Sequence, residues 1–503
     1  MRQQGMNRYP PVREPLAHAV RRVLELAVRS YSDRPRTARL LAAQLDRFDE
    51  PLRVAIAGKV KAGKSTLLNA LVGDPVAPTD AGECTRVVTW YRDGRSPRVV
   101  MHPRDGAPVS LPVVRNDGSL VIDLQGNAAE ALDRIVVDWP SQYLRTMTLI
   151  DTPGIASMSV ETARRTMTFI DPEDEETPSE ADAVIYLMRH LHVTDIGLLE
   201  AFRDQGLPRA GAVNAVAVIS RADEIGAGRV DAMFSARAIA QRYRAEPAVR
   251  ALCQDVVAVA GLLAETGRTL RQAEFAALDE LSRAPRAEME AALMSVDRFL
   301  RAEGAVADAV PSRVVREDLT RRFGLFGIRL CTTLIRQGAR TSSALADEMV
   351  AHSGLHDLQR VLHTQFTQRR ELLKARSALL ALERVLRADA HPDQTLVREA
   401  ERIASSAHEF AELRLLGALR AGTVPLPRAV VDEAEQLLGA AGPAPHVRMG
   451  LPAGADAAEL RSAALAALQR WQHHAANPLF RRAATDACHV VIRSCEGVLA
   501  GIR

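Results

Sequence analysis

The run Gly58-Lys59-Val60-Lys61-Ala62-Gly63-Lys64-Ser65 constrains this chain more than any other part of it. It reads G-x-x-x-x-G-K-[ST], follows the apolar run Val54-Ala55-Ile56-Ala57 and precedes the helical stretch TLLNALVG. A loop of this kind between a buried strand and a helix turns its N–H groups toward a phosphate chain. The glycines allow the close wrap, Lys64 reaches the β and γ oxygens, and the Ser65 hydroxyl is offered to Mg²⁺. The expected nucleotide-binding residues of the loop are Gly58, Lys59, Val60, Lys61, Ala62, Gly63, Lys64, Ser65 and Thr66. A glycine-rich turn without a ligand is the plainer reading, and the strand–loop–helix context argues against it.

Three further segments extend the pattern. Asp151-Thr152-Pro153-Gly154 follows the apolar run Met147–Ile150. A carboxylate at such a strand end holds a water on Mg²⁺, and the Gly154 N–H reaches the γ-phosphate. Ser220-Arg221-Ala222-Asp223 follows another apolar run. Asp223 there can accept from guanine N1–H and N2–H₂, a donor pair that adenine lacks, while the stem of Arg221 covers the base. The usual pattern is [NT]-K-x-D, so both of the first two positions depart from it, and a simple helix N-cap is the competing reading. Ala260 and Gly261 sit where a small residue would meet the base through its backbone. The ligands expected are therefore GTP or GDP with Mg²⁺, the metal held by Ser65, by Thr85 and, through water, by Asp151. Thr85 is the candidate switch threonine, with Thr79 as the other choice and a threonine at a strand start as the structural alternative. Ile155 follows the DTPG segment where small signalling enzymes carry a water-positioning glutamine, so slow turnover by the isolated chain is expected.

Short apolar runs at 53–57, 86–91, 98–101, 119–123, 145–150, 183–188, 213–219 and 256–260 alternate with helical stretches and turns. They predict an α/β P-loop GTPase domain with a mostly parallel sheet over 51–267. Residues 14–46 read as two helices broken at Pro35, with Leu16, Val20, Val23, Leu24 and Ala27 on one face. Beyond about residue 268 only helical periodicity remains, giving an all-α bundle over 268–503. Its last helix carries the stripe Ala484, Cys488, Val491, Cys495, Val498 and Ile502. The segment 1–50 and the C-terminal helices each need a partner for an apolar face, which predicts that 16–27 packs on 484–502 beside the head.

With a net charge of +3 over 503 residues, the total gives no reason to expect a nucleic-acid partner. Five scattered cysteines fit a reducing compartment, and neither a membrane span nor a leader peptide is expected, which points to the cytoplasm.

The stretches GKVKAGKSTLLNAL, PTDAGECTRVVTW and LIDTPG, with the long helical tail, resemble bacterial dynamin-like proteins. SRADEIGAGR, LMSVDRF and RRFGLFGIR resemble the C-type member of the isoniazid-inducible family of mycobacteria and their relatives. The resemblance implies a GTPase head, a helical neck and a trunk, with GTP hydrolysis coupled to binding or remodelling of the cytoplasmic membrane. It also implies contact with an anionic membrane surface and self-association through the head or pairing with a sister protein. A regulatory GTPase whose bundle binds a protein partner is the alternative. Lys64, Thr85 and Gly154 become the expected catalytic residues, joined by Lys61, which stands where dynamins proper carry a serine that helps place a monovalent cation. The chain uses lysine at only four of 65 basic positions, three of them within this loop. Lys61 either supplies that positive charge or points to solvent. No polybasic cluster of roughly four to eight residues marks a lipid site. Arg369, Arg370, Lys374 and Arg376 are expected to be a solvated helix face, and the segment 442–455 to be an inter-helix loop, with a membrane-touching tip as the alternative.

Overall fold

The computed structural model describes residues 15–78, 87–153, 181–191, 196 and 214–502. Nine of the described strands form one sheet in the order β11-β10-β9-β1-β8-β2-β7-β3-β4. They are β1 (Leu52–Gly58), β2 (Thr89–Asp93), β3 (Arg98–Pro103), β4 (Val109–Leu111), β7 (Leu132–Trp139), β8 (Met147–Asp151), β9 (Ala183–Met188), β10 (Ala215–Ile219) and β11 (Val256–Ala258). A separate hairpin consists of β5 (Val114–Asn116) and β6 (Ser119–Val121). β1 pairs in parallel with β8 on one side and β9 on the other, and β9, β10 and β11 continue in parallel. The inner strands are buried along almost their whole length, which is why they read as continuous apolar runs rather than as alternation. β7 was absent from the runs picked out in the sequence. It lies inside the sheet between β2 and β3, and its Arg134 and Asp138 interrupt the apolar signal of Ile135-Val136-Val137.

The helices nearest the site are α3 (Lys64–Val72), α4 (Ala232–Ala245) and α5 (Gly261–Arg268), followed by α6 (Gln272–Arg283) and α7 (Arg313–Gln337). Then come α8 (Ser342–His352), α9 (Leu355–Gln365), α10 (Arg370–Ala388), α11 (Gln394–Ser406), α12 (His408–Arg420) and α13 (Arg428–Leu437). The chain ends in the helical pair α14 (Ala457–Ala475) and α15 (Arg482–Gly501). As expected, no described strand lies beyond β11.

One core cluster joins Leu52, Val54 and Ile56 of β1 to Leu67 and Leu71 of α3, and also to Leu355, Leu358, Leu362 and Phe366. The sheet's core is thus completed by helices that follow it by about a hundred residues in the chain.

Two expectations about the bundle are corrected. Ahead of the sheet lie α1 (Leu16–Ser30) and α2 (Pro35–Asp46), and the apolar face of α1 is buried as predicted. Its partners, however, are α10 and α11, with which it shares a core of Val20, Val23, Leu24, Leu379, Leu382 and Ile403. Arg22 to Glu399 at 3.0 Å and the Tyr31 hydroxyl to Asp389 at 2.8 Å seal the edges. The stripe of α15 is buried in a different cluster, against Trp471 of α14 and Leu415, Leu416 and Leu419 of α12. A long apolar face specifies that a partner exists and not which one, so the pairing of 16–27 with 484–502 does not hold.

The second correction concerns the basic residues near 370. Arg369, Lys374 and Arg376 are buried, and only Arg370 is exposed. Lys374 donates to the carbonyls of Arg47 (2.6 Å) and Phe48 (3.2 Å) and also to that of Glu50, tying α10 to the link between α2 and β1. Burial pushes its ammonium down to about 8. In the same joint Arg47 meets buried Asp182 at 2.6 Å, and the other oxygen of Asp182 accepts from the Arg53 N–H at 3.0 Å. The segment 442–455 holds the short helix Pro445–Arg448, whose Arg448 reaches Glu412 at 2.6 Å while Met449 packs on the α12–α15 core.

Candidate nucleotide site

β1 enters the loop between β8 and β9, with Ile56 level with Asp151 and Gly58 level with Leu187. Any side chain at 58 would meet the Leu187 carbonyl oxygen, 2.6 Å from a notional Cβ. The glycine is therefore required by close approach as well as by the loop. Gly63 takes the left-handed conformation before α3, and so does Lys61 at φ 60°. Lys61 and Val60 are exposed, Ala62 is buried, and Lys59, Gly63, Lys64, Ser65 and Thr66 are half-buried. The first turn of α3 thus presents Lys64, Ser65 and Thr66 where the helix N-terminus favours an anion.

Ser65 Oγ donates to Asp151 Oδ2 at 3.0 Å. The next residue ties the end of β8 to β1, the Thr152 hydroxyl donating to the Ile56 carbonyl at 2.9 Å. Asp151 Oδ1 is buried and has no hydrogen-bond partner among the described residues. Burial pushes the Asp151 carboxyl above its ordinary value, opposed by Lys64 and then by the Ser65 hydroxyl. Burial likewise pushes the Lys64 ammonium down, opposed by Asp151. A carboxylate and a lysine so arranged suit a cation beside the one and an anion beside the other. One hydroxyl beside an orphaned carboxylate oxygen fits a hard, oxygen-seeking ion such as Mg²⁺.

The base end is a cleft of ≈ 130 Å³. Leu67, Leu187, Val218 and Val259 supply its apolar wall, and Asp223, Arg221 and Glu224 stand at its polar edge. Burial pushes the Asp223 carboxyl up, and a donor pair brought to it would satisfy its oxygens. Arg221 is left-handed at φ 51° and donates to Glu224 Oε1 at 2.6 Å, which holds its stem along the cleft. Neither residue caps a helix through its side chain: the short turn Ala222–Ala227 has no side-chain cap, and α4 starts after Asp231. Of the pair at the end of β11, Gly261 lines the cleft, and Ala260 is fully buried behind it. Thr79, Thr85, Gly154 and Ile155 lie outside the described residues.

Two contributors were not picked out in the sequence. Glu224 is one. Asn69 is the other: its Oδ1 accepts from the Val76 and Ala77 N–H groups at 3.0 and 2.7 Å, and its Nδ2 donates to Glu265 at 2.8 Å. It anchors the chain just before the expected switch segment. A polar residue within the apolar run LLNAL was the available signal.

The parallel strands around β1, the loop at their C-terminal ends and the paired Ser65 and Asp151 make up a P-loop head. Residues 54–193 match the Dynamin family. The chain belongs to the family of the isoniazid-induced protein IniC: it is 41% identical to the Mycobacterium tuberculosis protein of that name over 490 residues, covering 96% of this chain and 98% of the relative. A bacterial dynamin-like protein of Nostoc punctiforme is 33% identical over 114 residues, 20% of this chain and 16% of that one. The isoniazid-induced protein IniA of M. tuberculosis is 28% identical over 198 residues, 37% and 31% respectively.

Proposed function

We propose that this chain is a dynamin-like GTPase that binds GTP and GDP with Mg²⁺, hydrolyses GTP and couples the cycle to a membrane. The observation that carries the reading is the Asp151 carboxylate, whose Oδ2 accepts from Ser65 while its buried Oδ1 has no hydrogen-bond partner among the described residues, together with a cleft lined by Asp223 and by Gly63 and Thr66 of the loop. Lys64 binds the β and γ oxygens, and the loop N–H groups from Gly58 to Thr66 wrap the phosphates. Ser65 and Thr85 would hold the metal directly, and Asp151 would do so through a water. When bound, the metal neutralises charge that builds on the phosphate oxygens. Gly154 donates to the γ-phosphate. Lys61, exposed at the mouth of the loop, brings a compact positive charge to the breaking bond. Asp223, Arg221 and Gly261 select and hold guanine, and Ala260, buried behind Gly261 with its N–H on the Ser353 carbonyl, supports that loop from behind.

Membrane coupling is the part of the proposal drawn from the family. None of the described helices is long and apolar enough to cross a bilayer, so the association proposed is peripheral, on the cytoplasmic face. Self-association through the head, or pairing with a sister dynamin-like protein, belongs to the same proposal. Co-sedimentation with anionic liposomes tests it. The full chain is expected to pellet with vesicles, and more so with a non-hydrolysable GTP analogue. A chain that turns over GTP yet stays in the supernatant in every nucleotide state would instead support a regulatory GTPase with a protein partner.

A further inference from the structure

The loop that leaves β11 for the base cleft is held from behind by a part of the chain far from the nucleotide motifs. The Ala260 N–H donates to the Ser353 carbonyl at 2.9 Å. Ser353 is itself completely buried. Its hydroxyl donates to the Val350 carbonyl at 2.6 Å and accepts from the Leu355 N–H at 3.1 Å, which fixes the turn between α8 and α9. Gly354 follows at φ +81° and lies so close under β11 that a Cβ would overlap the Ala258 carbonyl oxygen. Around this contact α8 packs on α5: a Cβ at Gly267 would sit 3.1 Å from both Met349 and Val350. Val350, Leu355 and Leu358 share a core with Val257, Val259 and Ala264. On the far side of the same loop, Gly261 lies against Thr66 and lines the cleft with Leu262. The base loop is therefore pinned between the phosphate helix and the α8–α9 turn.

We propose that the Ser353–Gly354 turn is a positioning element of the nucleotide site, setting the height at which the Ala260–Leu262 loop meets guanine. It touches no nucleotide and acts through Ala260. Because binding linkage is reciprocal, nucleotide in the cleft also strengthens the docking of α8 and α9 on the sheet. Loop and helices form one cooperative unit. This inference rests on the cleft being a guanine site.

The test uses the full chain with two substitutions. Gly354→Ala places a methyl group against Ala258 at a left-handed residue. Gly422→Ala imposes the same left-handed strain (φ +67°) at an exposed residue after α12, where a notional Cβ meets nothing within 4 Å. Stopped-flow release of a fluorescent GDP and steady-state GTP turnover are read for each. Gly354→Ala is expected to release GDP roughly tenfold faster and to raise KM by about the same factor with kcat near the parent's, while Gly422→Ala behaves as the parent. A Gly354→Ala protein with parental release and KM, or one that loses kcat with KM unchanged, overturns the inference. Should that variant not fold, hydrogen exchange on the parent decides: added GDP must slow the Ala260 amide and those of Leu355–Leu362. Protection gained at the P-loop and not there overturns it. A parent that binds no GDP by calorimetry overturns the guanine reading, and this inference with it.

Discussion

Lys64→Ala is expected to lose GTP and GDP binding while the folded protein melts no lower than the parent. Lys64 is the first residue of α3, where a cation faces the positive end of the helix dipole and alanine is a better helix former. Burial already disfavours its charge, and the nearby Asp151 only partly offsets this. The empty protein therefore has little to lose. The occupied one loses the point charge on the β and γ oxygens, an interaction of about 3–5 kcal/mol, or roughly two to four orders of magnitude in affinity. Calorimetric titration beside a thermal melt separates the two effects. Parental affinity would remove the P-loop assignment, and a large drop in melting temperature would recast Lys64 as structural.

Asp223→Asn is expected to weaken GTP roughly 100-fold and to raise the affinity for xanthosine triphosphate. One acceptor oxygen becomes an N–H₂ group facing guanine donors, whereas the C2 carbonyl of xanthine accepts from the new amide. Burial pushes the Asp223 carboxyl up, so the neutral amide is no harder to fold around. The measurement is competition of both nucleotides against a fluorescent GDP in parent and variant. Unchanged preference would mean that the carboxylate does not read the base, and that the guanidinium of Arg221 or the loop at Gly261 does.

Contiguous signals were legible in the sequence. The P-loop, the run into Asp151 and the stripe of α15 each lie within a few residues, and local geometry is enough to interpret them. Long-range choices were not legible. The apolar face of α1 showed that it would be covered, but α10 and α15 offer similar stripes, and contacts such as Arg22 with Glu399, Tyr31 with Asp389 and Ser30 with Asp393 distinguish them. Lys374 itself looked like a solvated cation because its partners are backbone carbonyls, which leave no side-chain pattern. β7 was hidden by the charged residues Arg134 and Asp138 within it. The contact of Ser353 with Ala260 spans more than ninety positions and is made by backbone atoms on both sides, so no residue type announces it.

Steady-state phosphate release by the intact chain, with GTP or ATP and with Mg²⁺ or excess chelator, bears most directly on the central claim. The paired Ser65 and Asp151, and Asp223 at the cleft, predict release from GTP with Mg²⁺, none above background from ATP, and none from either once the metal is removed. ATP turned over as fast as GTP, or GTP hydrolysis indifferent to the chelator, would contradict it.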